Sequence, residues 1–445
     1  MVANSPGSRS APLPGAGAVA ILDGVIEYDG PRQRAYLVGI QSPGESEQAE
    51  PLLRELNALT RTLGLSTAGS ETVRLREISP RYFVGAGKAE DIAARARELE
   101  ADILVFDEEL SPSQQRNWEQ LAECTVTDRQ GVILEIFADR AQTREARLQV
   151  DLARMEYLLP RLTSAWSHLS RQRGGRRGTR GEGETQLEVD RRMVQQRIAS
   201  IKRDLKGVQG QRATSRRQRT ELPMPNGSIV GYTNAGKSSL LRALTGSEVL
   251  VADKLFATLD PATRRLELQG GQEVLLTDTV GFIRRLPHGL VEAFKSTLEE
   301  TLLASFLVHV VDASDPSAVE HARITSEVLR EIGSREKPTI QVLNKVDAVE
   351  GHELDLVRLA FPDAVPVSAA HGTGLDELRE RIRDLVTTSF ARIQVAIPHA
   401  RYDLAALIHR TGRVLEERHA NGSVNISAEV PERTRRLVEE YEDVE

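Results

Sequence analysis

An α/β protein with mostly parallel sheets is what this sequence predicts, on three observations. Short apolar runs such as Ala35–Ile40, Ile103–Phe106, Phe306–Val311 and Thr339–Leu343 alternate with segments of helical spacing, the pattern of buried strands in βα units. One such unit carries a glycine-rich loop, Gly231–Ser238, between its strand and its helix. The chain of 445 residues is 40% hydrophobic but only 4% aromatic, so its cores must be built from Leu, Val, Ile and Ala. That length suits about three domains rather than one core.

Residues 1–17, which include Ser5, Pro6, Gly7, Ser8, Pro12 and Gly15, read as a disordered tail. They lack the basic start and apolar block of a secretion signal. Residues 18–165 read as a small α/β domain, with strands Ala35–Ile40 and Ile103–Phe106 and helices Pro51–Leu63 and Ala89–Leu99. Nothing in this stretch has the pattern of a catalytic triad or a metal cluster. The single cysteine, Cys124, rules out an internal disulfide and favours a reducing cytoplasm. Its apolar flanks, Leu121 to Val126, mark it as a small core residue rather than a nucleophile. No apolar stretch has the length needed to cross a membrane. The expected location is the cytoplasm, with peripheral attachment to a membrane left open and stable insertion excluded.

Leu148–Leu159 has helical spacing and stops at Pro160. A run of glycine and arginine follows, Gly174 to Gly183, expected to be a mobile loop at the base or tip of a helical hairpin. Beyond it Glu184–Val208 is a long polar helix pattern with one narrow apolar stripe at Leu187, Val194, Ile198, Ile201 and Leu205. Together, residues 166–222 are expected to form a Gly/Arg-rich loop and a basic helical hairpin. Arg171–Thr220 contains 15 Lys and Arg against 5 Asp and Glu, a local charge of +10 on a chain whose total is −7, so the remainder carries −17. A solvated face is one reading of that charge. Contact with RNA is the other, favoured because glycine backbone and guanidinium forks suit phosphates.

Residues 223–388 repeat strand, loop and helix, with strands at Ser228–Gly231, Glu273–Asp278, Phe306–Val311, Thr339–Leu343 and Ala364–Val367. The loops after these strands carry the chemistry. Gly231-Tyr232-Thr233-Asn234-Ala235-Gly236-Lys237-Ser238 is a phosphate loop: its backbone N–H groups curl around phosphate oxygens at a helix N-terminus, Lys237 reaches the β- and γ-phosphates, and Ser238 offers a hydroxyl to Mg²⁺. In Asp278-Thr279-Val280-Gly281, the carboxylate can hold Mg²⁺ through water and the glycine N–H can sense the γ-phosphate. In Asn344-Lys345-Val346-Asp347, the Asp347 carboxylate can accept from guanine N1–H and its 2-amino group, a pair that adenine does not present. Ser368-Ala369-Ala370 fits the loop that closes on the guanine oxygen. The set points to GTP and GDP.

Between the phosphate loop and Asp278, Phe256, Ala257, Thr258, Leu259 and Asp260 are expected to contact the nucleotide, and the segment Phe256-Ala257-Thr258-Leu259-Asp260-Pro261-Ala262-Thr263 offers two threonines as a switchable Mg²⁺ ligand. Thr258 is favoured over Thr263. Phe282 occupies the position after Gly281, where a glutamine often orients the attacking water; a phenyl ring cannot, so hydrolysis is expected to be slow without outside help. The catalytic set read from the residues is Lys237, Thr258, Gly281 and Asn234. Asn234 could ligate K⁺ beside the phosphates; its bland alternative is a loop-stabilising side chain. Residues 389–445 read as a small α/β appendage, with strand Ile393–Ile397, helix Tyr402–Arg418, a turn at Asn421-Gly422 and strand Val424–Ala428.

Assembled, these residues resemble the HflX family of ribosome-associated GTPases over about residues 30 to 430. The specific stretches are Val84–Lys88, Arg140–Val150, Leu159–Leu162, Gly181–Glu188 and Leu255–Pro261. Glu182 stands where the family usually has proline, and Arg176 and Arg177 are extra. The resemblance implies an HflX-type N-terminal domain joined through a helical hairpin to a Ras-like P-loop GTPase domain and a small α/β C-terminal domain. It also implies a protein that binds RNA and proteins of the large ribosomal subunit; when free, the chain is expected to be a monomer. GTP hydrolysis would be stimulated there, with splitting or rescue of stalled or hibernating ribosomes under stress. The rivals are an ATP-dependent RNA remodeller regulated by GTP and a GTP-switched protein adaptor. Gly85–Lys88 is too short to be a second phosphate loop.

Overall fold

The computed structural model describes residues 33–41, 49–162, 180–220, 224–247, 255–269, 272–284, 300–388, 390–420 and 422–442. The tail 1–17, Gly174–Thr179 and Asn421 lie outside them. The chain divides into two compact bodies, one formed by residues 1–139 and 151–203, the other by 140–150 and 204–445.

The first body is built on four parallel strands, β1 (Arg34–Gln41), β2 (Ser66–Arg74), β3 (Ile103–Phe106) and β4 (Thr125–Asp128), in the order β2-β1-β3-β4. β1 is buried from Ala35 to Gln41 and β3 throughout, as expected for central strands covered on both faces. Helix α1 spans Ala49–Thr62. Helix α2 (Ala86–Glu98) buries Ala89, Ile92, Ala93 and Ala96, one face at helical spacing. Helix α3 (Pro112–Ala122) starts on a reciprocal cap between Ser111 and Gln114, with Pro112 in its first turn. It buries Trp118, whose indole N–H donates to the Tyr82 carbonyl at 2.9 Å. Helix α4 (Arg129–Arg140) follows, and helix α5 (Arg144–Leu158) begins in the 140–150 segment of the second body and continues into the first.

Two of the family-like stretches turn out to be framework. Arg161 is buried and donates to Gln115 Oε1, the carbonyls of Tyr157 and Leu110, and Asp128. Lys88 donates to Glu71 Oε2 at 2.6 Å, beside Arg95 at 2.7 Å. Cys124 is partly buried against the same core, and burial pushes its thiol up to about 11, as befits an inert packing residue.

Helix α6 runs from Arg180 to Thr220. Gly181, Glu182 and Gly183 are therefore its first residues rather than part of a loop, and it continues past Val208. Val194, Ile201 and Leu205 of the expected stripe are buried.

The second body carries a six-stranded sheet, from β5 (Asn226–Gly231), β6 (Ala262–Glu267), β7 (Glu273–Asp278), β8 (Phe306–Asp312), β9 (Thr339–Asn344) and β10 (Val365–Pro366). The order is β10-β9-β8-β5-β7-β6, with every pair parallel except β6 and β7. Helices α7 (Lys237–Thr245), α8 (Ala318–Glu331), α9 (Gly351–Ala360) and α10 (Leu375–Thr387) connect or flank its strands. Leu240 and Leu241 of α7 and Leu378 and Ile382 of α10 are fully buried in one core with Ile229, Leu276 and Val342. Each leucine so placed contributes about 1.5–3 kcal/mol. The loops at the C-terminal ends of β5, β7 and β9 emerge on one edge of this sheet, where parallel α/β sheets hold ligands.

The last residues form a three-stranded antiparallel sheet, β11 (Ala391–Pro398), β12 (Arg413–Ala420) and β13 (Ser423–Val430), ordered β11-β13-β12, with helices α11 (Tyr402–Thr411) and α12 (Glu432–Val438). The expected helix Tyr402–Arg418 is thus half right. It stops at Gly412, where a Cβ would stand 2.6 Å from the Glu429 carbonyl, and Arg413–Ala420 is a strand paired with β13. The charged sequence of β12 has helical composition; its partner strand overrides that preference.

Candidate nucleotide site

β5 delivers the phosphate loop by running straight into the turn before α7. Asn234 and Gly236 both take positive φ, 60° and 88°. Asparagine is among the few non-glycine residues that accept this region readily. At Gly236 a Cβ would meet Asn344 Nδ2 at 2.2 Å. That contact exists because Asn344, buried at the end of β9, ties two loops together: its amide donates to the Ala235 carbonyl at 2.9 Å and accepts from Ala369 N–H at 3.1 Å.

Lys237 is buried beneath the loop and donates to the Gly231 and Tyr232 carbonyls at 3.2 and 2.8 Å. Burial pushes its amine down to about 8, only partly offset by the Asp278 carboxylate. Ser238 lies at the centre of an oxygen cluster: its hydroxyl donates to Asp278 Oδ2 at 2.6 Å and stands 2.6 Å from Thr258 Oγ1. Burial raises the Asp278 carboxyl, against Lys237 and the hydroxyls of Ser238 and Thr258. Its other oxygen, Oδ1, is buried without a hydrogen-bond partner. Two hydroxyls and an orphaned carboxylate oxygen form a hard-oxygen set that suits Mg²⁺. Thr263 is elsewhere, on β6, with its hydroxyl 2.9 Å from that of Thr277 across the strand pair.

Residues of the phosphate loop, of 256–258 and of 279–281 line one cleft: Thr233, Asn234, Gly236, Lys237, Ser238, Ser239, Phe256, Ala257, Thr258, Thr279 and Gly281. Leu259 is buried, and neither it nor Asp260 lines the cleft. Gly281 packs so closely that a Cβ would come within 2.7 Å of Thr233 Cα. Thr279 donates to the Ile229 carbonyl, and Val280 is buried. Phe282 N–H donates to the Gly231 carbonyl, and its own carbonyl accepts from Thr233 N–H at 2.8 Å. The Phe282 ring is buried with Val230, Ala304, Leu307 and Leu329, away from the cleft.

On the base side, Lys345 adopts φ 64° and donates to Asp312 Oδ2 at 2.6 Å. Val346 and Asp347 sit in a single 3-10 turn. The Asp347 side chain is 32% exposed and 3.4 Å from His371 Nδ1. Hydrogen bonding to Ser368, then the neighbouring His371, holds its carboxyl below the usual range. Ser368 accepts from His371 N–H at 3.1 Å, and Ala370 follows Ala369 in that loop. Sequence reasoning missed Asp312 and His371. It also missed Tyr232 stacked on His321, centroids 3.8 Å apart and planes within 6°.

His309 of β8 is buried with Nε2 unpartnered. Burial, with the charge of Lys237, pushes its imidazole down to about 4. The unfolded chain, titrating near 6.5, then binds more protons between those values, so stability must fall as pH drops from about 6.5 toward 4. Urea midpoints at pH 7 and 5 should separate clearly for the wild type and less for His309→Leu; equal separation would remove His309 as the cause.

Three family models match the chain. A GTP-binding GTPase N-terminal model covers residues 50–138, a GTP-binding GTPase middle-region model 140–219, and a 50S ribosome-binding GTPase model 226–345. The GTPase HflX of Akkermansia muciniphila is 48% identical over 412 residues, 90% of this chain and 94% of that protein. The GTPase HflX of Escherichia coli is 41% identical over 407 residues, 91% and 95% of the two. A GTP-binding protein from Sulfolobus solfataricus, solved with GDP, is 26% identical with a TM-score of 0.42, covering 80% of this chain and 99% of its own.

Proposed function

The chain belongs to the HflX family of GTPases, and from that premise we propose that it is a Mg²⁺-dependent switch whose GTP hydrolysis is triggered on the large ribosomal subunit. GDP and phosphate leave, and the event splits or rescues stalled or hibernating ribosomes. One observation carries the reading: the Ser238, Thr258 and Asp278 oxygens are assembled beside Lys237, while Phe282, where a water-orienting side chain would stand, is folded into the core. Binding groups are complete, and the residue after Gly281 has no part in activating water.

In this reading Lys237 holds the β- and γ-phosphates. Ser238, Thr258 and Asp278 would hold the metal with their side-chain oxygens. Mg²⁺, when bound, offsets the charge on the phosphate oxygens. The Gly281 N–H meets the γ-phosphate. Asn344 braces the loops, Asp347 reads guanine, and Ser368–Ala370 close on its oxygen. Asn234 faces the phosphates and is the candidate K⁺ ligand. The basic helix α6 and the preceding arginines, at net +10 over residues 171–220, suit ribosomal RNA. The 50S ribosome-binding description of the model over 226–345 supports the same partner.

The test is GTP hydrolysis by the full chain, alone and with purified large subunits, in potassium and in sodium buffer. Strong stimulation, lost in Lys237→Ala, is the expected result. A slow rate indifferent to ribosomes removes the ribosomal assignment and promotes the adaptor reading. Equal rates in the two salts remove K⁺, and ATP turnover that survives Lys237→Ala favours the RNA remodeller.

A further inference from the structure

The segment Arg140–Val150 opens the stretch matched by the middle-region family model, yet nothing in the nucleotide chemistry accounts for it. It clusters with the nucleotide-binding body although residues on both sides of it belong to the other. Its point of attachment is Asp260. Asp260 Oδ2 accepts from the backbone N–H groups of Gln142 and Thr143, both at 3.1 Å, and Oδ1 accepts from the Thr143 hydroxyl at 2.5 Å. The same hydroxyl accepts from Ala146 N–H at 3.2 Å, capping α5. A carboxylate holding three donors at a helix start is a strong, directional contact.

Asp260 is two residues beyond Thr258. Pro261 follows, and β6 begins at Ala262, paired opposite Asp278. Thr258 is therefore suspended on a short tether with one end on the sheet, and Asp260 fixes its midpoint. The tether is held in the arrangement that places Thr258 Oγ1 2.6 Å from Ser238 Oγ.

We propose that Asp260, held by Gln142 and Thr143, is a positioning residue for Thr258, so that the closed switch and the seating of the 140–150 segment are one event. This rests on Thr258 being the metal ligand. A bond that forms only when Thr258 is seated favours GTP over GDP, and nucleotide state is passed to the start of α5 by the same atoms.

The test uses the full chain and measures affinities for fluorescent GDP and a non-hydrolysable GTP analogue, each with and without Mg²⁺. Asp260→Ala is expected to lose about tenfold in affinity for the analogue with Mg²⁺ and to hold GDP within about twofold. Thr143→Val should fall between, and Thr143→Ser should match the wild type. Amide exchange at Gln142 and Thr143 should slow with the analogue but not with GDP, and lose that response in Asp260→Ala. An equal loss for both nucleotides, or none, overturns the proposal and leaves Asp260 a helix cap. Thr258→Ala without effect on Mg²⁺-dependent affinity would instead remove the underlying metal assignment. If Thr258→Ala acts while Asp260→Ala is silent, the positioning role alone fails.

Discussion

Asp347→Asn is expected to turn a guanine site into a xanthine site. Guanine presents two donors side by side, N1–H and the 2-amino group, and a carboxylate accepts both. Asparagine offers one acceptor and one NH₂ group, so the 2-amino group of guanine would face another donor. Xanthine carries a carbonyl at that carbon and pairs with the amide instead. Leaving a buried donor unpaired costs about 1–3 kcal/mol, and opposing donors add to it, so GTP affinity should fall by about 10²–10³-fold while XTP affinity rises comparably. The surroundings favour a clean exchange. Asp347 stands in an exposed 3-10 turn, and Ser368 and His371 hold it from the side. Its carboxyl is below the usual range, so it is ionised throughout neutral and mildly acidic solution, and the wild-type preference should not vary with pH there. Titration with fluorescent GDP and XDP decides it. Equal weakening toward both, with an unchanged melting temperature, would show that Asp347 does not meet the base.

The site was legible where chemistry is carried by consecutive residues. Gly231–Ser238, Asp278–Gly281 and Asn344–Asp347 are local patterns, and each follows a buried strand that its own apolar run predicts. What escaped was held by partners distant in sequence. Asp260 reads as part of a nucleotide-facing switch, yet its carboxylate is taken by residues 117 and 118 positions earlier. Asn344 stands in the guanine motif, while its amide staples the phosphate loop to Ala369. Strand β6 has only Leu266 well buried, so no alternation announces it, and antiparallel pairing to β7 makes it a strand. The charged β12 was lost to helix for the same reason. The long α6 begins before the point that its glycines suggest, a small cost of about 1 kcal/mol per glycine that a helix of 41 residues absorbs.

Lys237→Ala is expected to cost roughly 30-fold to several thousand-fold in GTP affinity, because a buried, desolvated charge contact typically costs about 2–5 kcal/mol when one partner is truncated. A pH experiment separates electrostatics from mere packing. Burial holds the amine at about 8, and two carbonyls with one carboxylate do not supply enough negative charge to restore it. The unfolded chain, titrating near 10.5, then binds more protons between about 8 and 10.5, so the empty protein should gain stability as pH rises through that window. A triphosphate reverses the sign locally. It favours the ammonium, so the bound amine titrates higher than the free one and binding above pH 8 must take up a proton. GTP affinity should be flat below about 8 and weaken by up to about tenfold per unit above it. Lys237→Ala should abolish that dependence along with most of the affinity. Calorimetry at pH 8.5 in two buffers of different ionisation enthalpy reads the proton directly. No uptake in the wild type, or the same uptake in Lys237→Ala, would mean that Lys237 is not the group completed by the phosphates.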